Sequence, residues 1–367
     1  MSRARDFADL AGSADAGGLT GRNLIINGAC VIDQRNSGSS VTTSGSYPVD
    51  RFFVNNATDA TFSAQQSTDV PSGQGFTTSL KITFPTGDAS IGTTQYANIQ
   101  QYIEGFNVAN LGFGNSGAKT VPLSFWVKAS VTGQYSYAIY NSAEDRVNPQ
   151  AFTINTADTW EFKSITYTGD TTGTWLTTNG KGLVVTLYTA LGSSFLGSAG
   201  WNSGGTFGVT GQANAMASNG NTFYITGVQL EVGDTATPFE HEDYGTTLGK
   251  CQRYFETSFD GGVSTTNTSN SGVVGWGGYS GSTTTSFIGQ AAIQYRVSKR
   301  AQPTVTIYDL ASPRATGALH RYQLGGAANN GQNATVTDNG TIGFNIYSSG
   351  TTAGTGIVFH YTSDAEL

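Results

Sequence analysis

The stretch NTFYITGVQLEVGDTATPFE, Asn221 to Glu240, decides how the chain is read. Phe223 and Ile225 share one parity of a period-two pattern, while Val228, Leu230 and Val232 share the other. Gly227 sits at the shift. One extra residue at a glycine, a β-bulge, returns both halves to a single buried face. The pattern therefore predicts one bulged strand that ends at the turn around Gly233 and Asp234.

Alternation of the same kind runs through most of the chain. VPLSFWVKASV sets Leu123, Phe125, Val127, Ala129 and Val131 on one face, with Ser124, Lys128 and Ser130 on the other. QYSYAIYN (Tyr135, Tyr137, Ile139), GLVVTLYTAL (Leu183, Val185, Leu187) and SLKITF (Leu80, Ile82, Phe84) repeat it. Half-buried antiparallel strands hide such faces most economically by packing sheet on sheet. RNLIINGACVIDQRNSG, Arg22 to Gly38, reads as a first strand laid across this sandwich, broken at Asn27-Gly28 and turning a corner. HEDYGTTLGKCQRYFETS places Leu248, Cys251 and Phe255 three and four apart, which predicts a connecting helix from Thr246 to Phe255 capped by Thr246 or Thr247. Beyond it, Ile293, Tyr295 and Val297, then Val305 and Ile307, then Ile342, Phe344 and Ile346, then Ile357, Phe359 and Tyr361 alternate again.

The expected fold is thus all-β: two antiparallel, jelly-roll-like β-sandwich domains with a short N-terminal helical segment and a short connecting helix. Residues 1–22 form the N-terminal segment, 23–242 the first sandwich, 243–255 the connecting helix and 256–367 the second β domain. Composition agrees, since 49 glycines and only 12% charged residues describe many short strands joined by tight turns.

A net charge of -7, from 18 Lys plus Arg against 25 Asp plus Glu, leaves no basic stripe for a phosphate backbone, so nucleic acid is not an expected partner. No apolar run approaches the roughly 20 residues needed to span a bilayer. MSRARDFADLAG is too polar for a signal-peptide core. Cys30 and Cys251 stand far apart, and packed free thiols are favoured over a disulfide between them, which the sequence leaves open.

NLIINGACVIDQR followed by YPVDRFF, the closing GVQLEVGDTATPFE, the connector LGKCQRYFE and the terminal YTSDAEL together resemble a layout found in bacteriophage virion proteins, chiefly tail-fibre-like proteins. The first domain is also similar to jelly-roll carbohydrate-binding modules. Cys30 departs from the Met or Phe expected there. The resemblance implies a place in a virion, on the tail or as a capsid fibre, and self-association, a homotrimer above all. It implies an N-terminal segment that docks on other virion proteins, with Arg3, Arg5, Phe7 and Leu10 the candidate contacts. It supplies no catalytic residues.

Catalytic patterns are sparse. GFGNSG, Gly112 to Gly117, leads into a strand instead of a helix, so it does not cradle a dinucleotide. There is no nucleophile elbow and no Walker lysine loop. His241, His320 and His360 are isolated from one another. FEHEDY, with Glu240, His241, Glu242 and Asp243, reads as a solvated domain junction, and a divalent-cation site there would need ligands from another loop. No cofactor or metal is expected. Trp126 and Trp160 lie in or beside strands and read as packing residues. Trp201 in GSAGWNSGGTFG, and Trp276 with Tyr279 in SGVVGWGGYSGST, lie in Gly- and Ser-rich loops, where a ring either closes a loop core or is offered to a sugar. These three are the candidate glycan contacts. The expected function is a non-enzymatic virion component that binds host surface glycan. A virion-associated glycan depolymerase or esterase, and a free carbohydrate-binding module or adhesin, are the alternatives.

Overall fold

Phe223, Ile225, Val228 and Leu230 all reach the same core, because the strand that carries them is bulged. Its pairing register with the neighbouring strand shifts between Thr226 and Gln229, and Gly227 holds the left-handed φ of +61° that the bulge requires. A Cβ on Gly227 would lie 2.5 Å from the Phe76 ring, so both conformation and space demand glycine. The computed structural model describes residues 21–260, 270–277, 287–311, 314–323, 328–350 and 354–367. Arg3, Arg5, Phe7, Leu10 and Tyr279 lie outside the described residues.

The chain forms two compact units, one of residues 38–244 with the segment up to Val31, the other of residues 245–366 with the short segment Ile32–Ser37. In the first unit the strands are β1 (Ser46–Val49), β2 (Phe52–Asn56), β3 (Thr61–Ser67), β4 (Ser79–Thr86), β5 (Tyr96–Glu104), β6 (Val121–Ala129) and β7 (Gly133–Tyr140). They continue as β8 (Val147–Ile154), β9 (Glu161–Tyr167), β10 (Lys181–Leu191), β11 (Leu196–Gly197), β12 (Gly208–Val209) and β13 (Asn221–Leu230), with a single-turn helix α1 (Gly105–Val108) after β5. A six-stranded sheet ordered β1-β2-β5-β10-β7-β8 packs against a five-stranded sheet ordered β3-β4-β13-β6-β9, both antiparallel. Their facing side chains form one core. Leu123, Phe125, Val127 and Ala129 of β6 meet Tyr135, Tyr137 and Ile139 of β7 and Leu183, Val185 and Leu187 of β10 there, as the alternation predicts. This is a jelly-roll-like β-sandwich.

The opening segment departs from the expectation. Residues 22–32 form no strand, because Asn27 and Cys30 take left-handed φ values of 61° and 56° and fold the chain into a turn. The segment still lies along β13: Leu24 N–H donates to Leu230 O at 2.8 Å, and Val228 N–H donates to Gly28 O at 3.0 Å. Any Cβ at Gly28 would fall 2.1 Å from Val228 O, which explains the Asn-Gly break. Cys30 is a free thiol sealed in the core, and burial pushes its pKa up to about 12, so it packs as a small hydrophobe. Cys251 is also buried and in no disulfide.

The second unit opens with helix α2 (Tyr244–Gln252), which starts two residues before the expected Thr246 and stops short of Phe255. Phe255 instead begins β14 (Phe255–Thr257). The strands that follow are β15 (Val274–Gly277), β16 (Phe287–Gln294), β17 (Thr304–Tyr308), β18 (Ala318–Gln323), β19 (Ala328–Asn333), β20 (Thr335–Thr337), β21 (Gly343–Gly350) and β22 (Gly354–Asp364). The long β22 is the spine: its first half pairs with β15 and β18, its second half with β14 and β17. β16, β21 and β20 form a separate antiparallel sheet. Tyr295, Ile307, Phe344, Ile346, Ile357, Phe359 and Tyr361 fill the core between them. Ile342, expected inside, is 70% exposed because β21 begins only at Gly343. No helix among the described residues is long and apolar enough to cross a membrane.

A buried ion pair is anchored on β14 through Glu256. Lys299 Nζ donates to Glu256 Oε2 at 2.7 Å, both side chains are fully buried, and Tyr361 Oη donates to Glu256 Oε1 at 2.7 Å. Burial holds the Lys299 ammonium below its usual pKa, and the Glu256 carboxylate opposes that shift.

Two outcomes follow from this packing. Gly227→Ala should lower unfolding stability by about 2 kcal/mol or more, through the left-handed φ and the Phe76 contact, as read by urea denaturation. Lys299→Met leaves the Glu256 carboxylate buried without its counter-ion and should cost about 3 to 5 kcal/mol; a melting curve unchanged from wild type would show the pair to be dispensable.

Candidate glycan-binding cleft

The sheet β1-β2-β5-β10-β7-β8 has a second face, and strand parity dictates what stands on it. On β5, Ala97, Ile99 and Ile103 point into the core, so Tyr96, Asn98, Gln100 and Tyr102 point away from it. Val184 and Tyr188 of β10, Tyr140 of β7 and Asn55 of β2 stand beside them. Together with Ser142, Glu144, Lys181, Leu191, Phe195 and Phe207 they line a cleft of about 380 Å³.

Loop 193–208 builds one wall. Its two ends are tied by the parallel pairing of β11 with β12 and by Phe207 N–H donating to Phe195 O at 2.9 Å. Phe195 and Phe207 meet edge to face at 6.1 Å, and they reach Tyr96 at 6.2 Å and Tyr140 at 5.5 Å respectively. At the other side the Lys181 ammonium sits 3.8 Å over the Tyr102 ring. The result is a half-buried aromatic margin, with rings whose edges and faces border open space.

The floor is polar and organised. Gln100 Nε2 donates to Tyr102 Oη, while Tyr140 Oη and Thr186 Oγ1 each donate to Gln100 Oε1 at 3.4 Å. Thr186 Oγ1 also lies 3.1 Å from Tyr140 Oη. Burial, and then the Glu144 charge, keeps the Tyr102 phenol above its ordinary pKa. Tyr140 and Tyr188 are raised as well, by burial first. Tyr102, Tyr140 and Tyr188 therefore stand as neutral hydroxyls throughout the physiological range. Such a surface pairs ring faces with amide and hydroxyl groups and can hold a flat, polyhydroxylated ligand.

Trp201 is not part of this cleft. Its ring packs at 5.7 Å from Trp175 and 6.1 Å from Phe113, its Nε1 donates to Thr168 O at 2.9 Å, and the Arg146 guanidinium lies 5.7 Å from its centre. Arg146 in turn grips the buried Asp170 through Nε at 2.8 Å and a second nitrogen at 2.7 Å. The loop sequence flagged for Trp201 does present a ring to the cleft, but it is that of Phe207, with Phe195 standing just before the loop sequence begins. Trp276 lies in β15, paired with Ile357, in the second unit. Trp126 stands on the outer face of the β3-β4-β13-β6-β9 sheet against Phe162 at 5.6 Å, outside the core. Trp160 is held by Nε1 donating to Asp69 Oδ1 at 3.0 Å.

The other chemical candidates have structural partners. Glu240 accepts Asn23 N–H at 2.9 Å as well as Gly21 N–H, and His241 packs against Phe76 and Phe239. No cluster of metal-ligating side chains occurs among the described residues. In the second unit Ser258 Oγ lies 3.1 Å from His360 Nδ1, but both are buried, Ser258 also accepts Tyr361 N–H, and His360 stacks on Phe259 at 4.0 Å. A wider trough of about 680 Å³ in that unit is lined by Thr304, Thr306, Tyr308 and Arg35. Its charges are paired, Arg35 with Asp364 at 3.0 Å and with Glu366 at 3.3 Å.

No family model matches the sequence, and no curated protein matches it. The enzymatically active domain of tailspike protein 4 of bacteriophage CBA120 aligns over 57% of this chain and 21% of its own, at 14% identity and a TM-score of 0.32. TmCBM61, solved with β-1,4-galactotriose, aligns over 58% of this chain and 99% of its own, at 10% identity and a TM-score of 0.30. The family 11 carbohydrate-binding module of a Clostridium thermocellum cellulosomal cellulase aligns over 56% and 99%, at 11% identity and a TM-score of 0.28. Likenesses of this strength assign no ligand to the chain.

Burial raises the Asp170 carboxyl, but hydrogen bonds from Arg146 and Thr172 outweigh it and leave the group below the usual carboxylate range. The stability this supplies is complete above the unfolded value of about 3.9 and is lost as the pH falls through the lower folded value. Asp170→Asn should therefore cost about 2 kcal/mol at pH 7 and flatten the acid limb of a stability profile taken below about pH 4.

Proposed function

We propose that this chain is a non-enzymatic structural protein of a bacteriophage virion that attaches to host surface glycan through the cleft of its first unit. The observation that carries the glycan reading is the cleft itself: Tyr96, Tyr102, Phe195 and Phe207 offer half-buried rings around a floor of Asn98, Gln100 and tyrosine hydroxyls. A pyranose has an apolar face and a hydroxyl edge, and this arrangement has a partner for each. A non-catalytic role is favoured because glycoside cleavage in most enzymes needs two converging carboxyl groups, and Glu144 is the one carboxylate among the described cleft residues.

The virion placement rests on the tail-fibre-like layout of the sequence. On this reading the N-terminal segment with Arg3, Arg5, Phe7 and Leu10 docks on another virion protein, and the chain assembles as a trimer, which would multiply weak single-site binding on a particle.

Affinity electrophoresis of the full chain through gels containing polysaccharide tests the cleft. Tyr96→Ala and Phe207→Ala should each weaken binding by about 2 kcal/mol, roughly thirtyfold, with a cooperative melt retained. Retardation equal to wild type in both variants would move the site elsewhere. Release of oligosaccharides during incubation would overturn the non-enzymatic part alone.

A further inference from the structure

Within the cleft one side chain stands apart from its neighbours. Asn98 is only 5% exposed and stands on the cleft side of β5 between Tyr96 and Gln100, yet its Oδ1 has no hydrogen-bond partner in the protein. Gln100, two residues on, is bonded at both ends of its amide, Nε2 to Tyr102 and Oε1 to Tyr140 and Thr186. A buried amide left unpaired costs stability, so its presence on the floor of an open cleft points to a partner that arrives with the ligand.

We infer that the cleft takes neutral glycans and rejects acidic ones, with Asn98 as the selecting residue; this rests on the glycan reading of the cleft. A sugar hydroxyl both donates and accepts, and so satisfies the Asn98 amide whichever way its oxygen and nitrogen are turned. A carboxylate or sulfate only accepts. It would satisfy the NH₂ and leave Oδ1 unpaired against a negative group.

Charge in the cleft acts in the same direction. Glu144 is exposed at the rim, and its field is felt at both Tyr102 and Tyr140. Lys181 is the cation of the lining, and its ammonium is already engaged 3.8 Å over the Tyr102 ring. The chain as a whole carries -7. An anionic polymer would thus approach a like-charged protein, leave the Asn98 Oδ1 unpaired and meet the Glu144 carboxylate at the rim.

The test uses the full chain with a neutral glucan, a neutral galactan, a polyuronate and the same polyuronate after carboxyl reduction. At least one neutral polymer should bind, and the reduced polyuronate should bind at least about tenfold more tightly than its parent. Glu144→Gln should narrow that gap. Asn98→Leu should weaken neutral binding about tenfold while the melting temperature stays at or above wild type, since it removes an unpaired buried amide; an Asn with a structural role would melt earlier. Parent polyuronate bound as tightly as the reduced form, with Tyr96→Ala still weakening binding about thirtyfold, would overturn the selectivity and leave the cleft standing. Binding of none of the four polymers would overturn the cleft reading and this inference with it.

Discussion

Strand β10 must satisfy two environments at once, and the first unit is built around that constraint. Leu183, Val185 and Leu187 go into the sandwich core, while Val184, Thr186 and Tyr188 form or underlie the cleft floor. Because side chains alternate with a period of two, a one-residue slip would exchange core and cleft. The register is pinned on both sides, with Leu187 opposite Ile99 and Tyr137, and Tyr188 opposite Asn98 and Ser136. Irregularities between Lys181 and Leu183 and between Tyr188 and Ala190 confine the regular ladder with β5 to the cleft. Core packing thus fixes which side chains the cleft receives.

A second dependence closes the unit. Gln229 and Glu231 are buried at the end of β13 and do not fit its apolar pattern, but each has full occupation. Glu231 accepts Thr237 N–H and Thr237 Oγ1–H, both at 2.8 Å, and Gln229 Nε2 at 2.9 Å. Gln229 Oε1 accepts Glu240 N–H at 2.8 Å, and the Glu240 side chain then holds the backbone at Gly21 and Asn23. The polar letters of GVQLEVGDTATPFE are therefore what ties the closing segment to the opening one, while its apolar letters build the core. Fully satisfied networks of this kind fix one arrangement and exclude alternatives.

Period two makes most of the strands legible in the sequence, and the parity shift marks the bulge at Gly227. The pattern misleads where side chains and turns override it. Leu24 and Ile26 alternate correctly, but left-handed Asn27 and Cys30 convert the segment to a turn held by β13. Phe255 falls at helical spacing from Cys251, yet β22 recruits it as a strand. The cleft escaped notice for a different reason. Attention to tryptophans in glycine-rich loops favours conspicuous rings, whereas this cleft is made of tyrosines and amides on the second face of strands already assigned to the core. The available signal was the segment QYANIQQY, in which the parity opposite Ala97 and Ile99 carries tyrosines and amides instead of charge.

The cleft divides into parts of different stiffness, and that division bears on how it would hold a ligand. Asn98, Gln100, Tyr140 and Tyr188 stand on central strands bonded on both sides, and mutual hydrogen bonds lock the rotamers of Gln100, Tyr102, Tyr140 and Thr186 before any ligand arrives. Little ordering remains to be done on the floor, so hydrogen bonds formed there are gained with small entropic loss. Phe195 and Phe207 stand on a loop whose ends are fastened, and their rings make contact with one another, with Tyr96 and Tyr140, and with the apolar cluster that includes Val184 and Leu191. Rings held by other rings can shift by small steps without breaking a hydrogen bond. The floor is suited to discriminating the polar edge of a sugar, and the wall to accommodating differences in its apolar face.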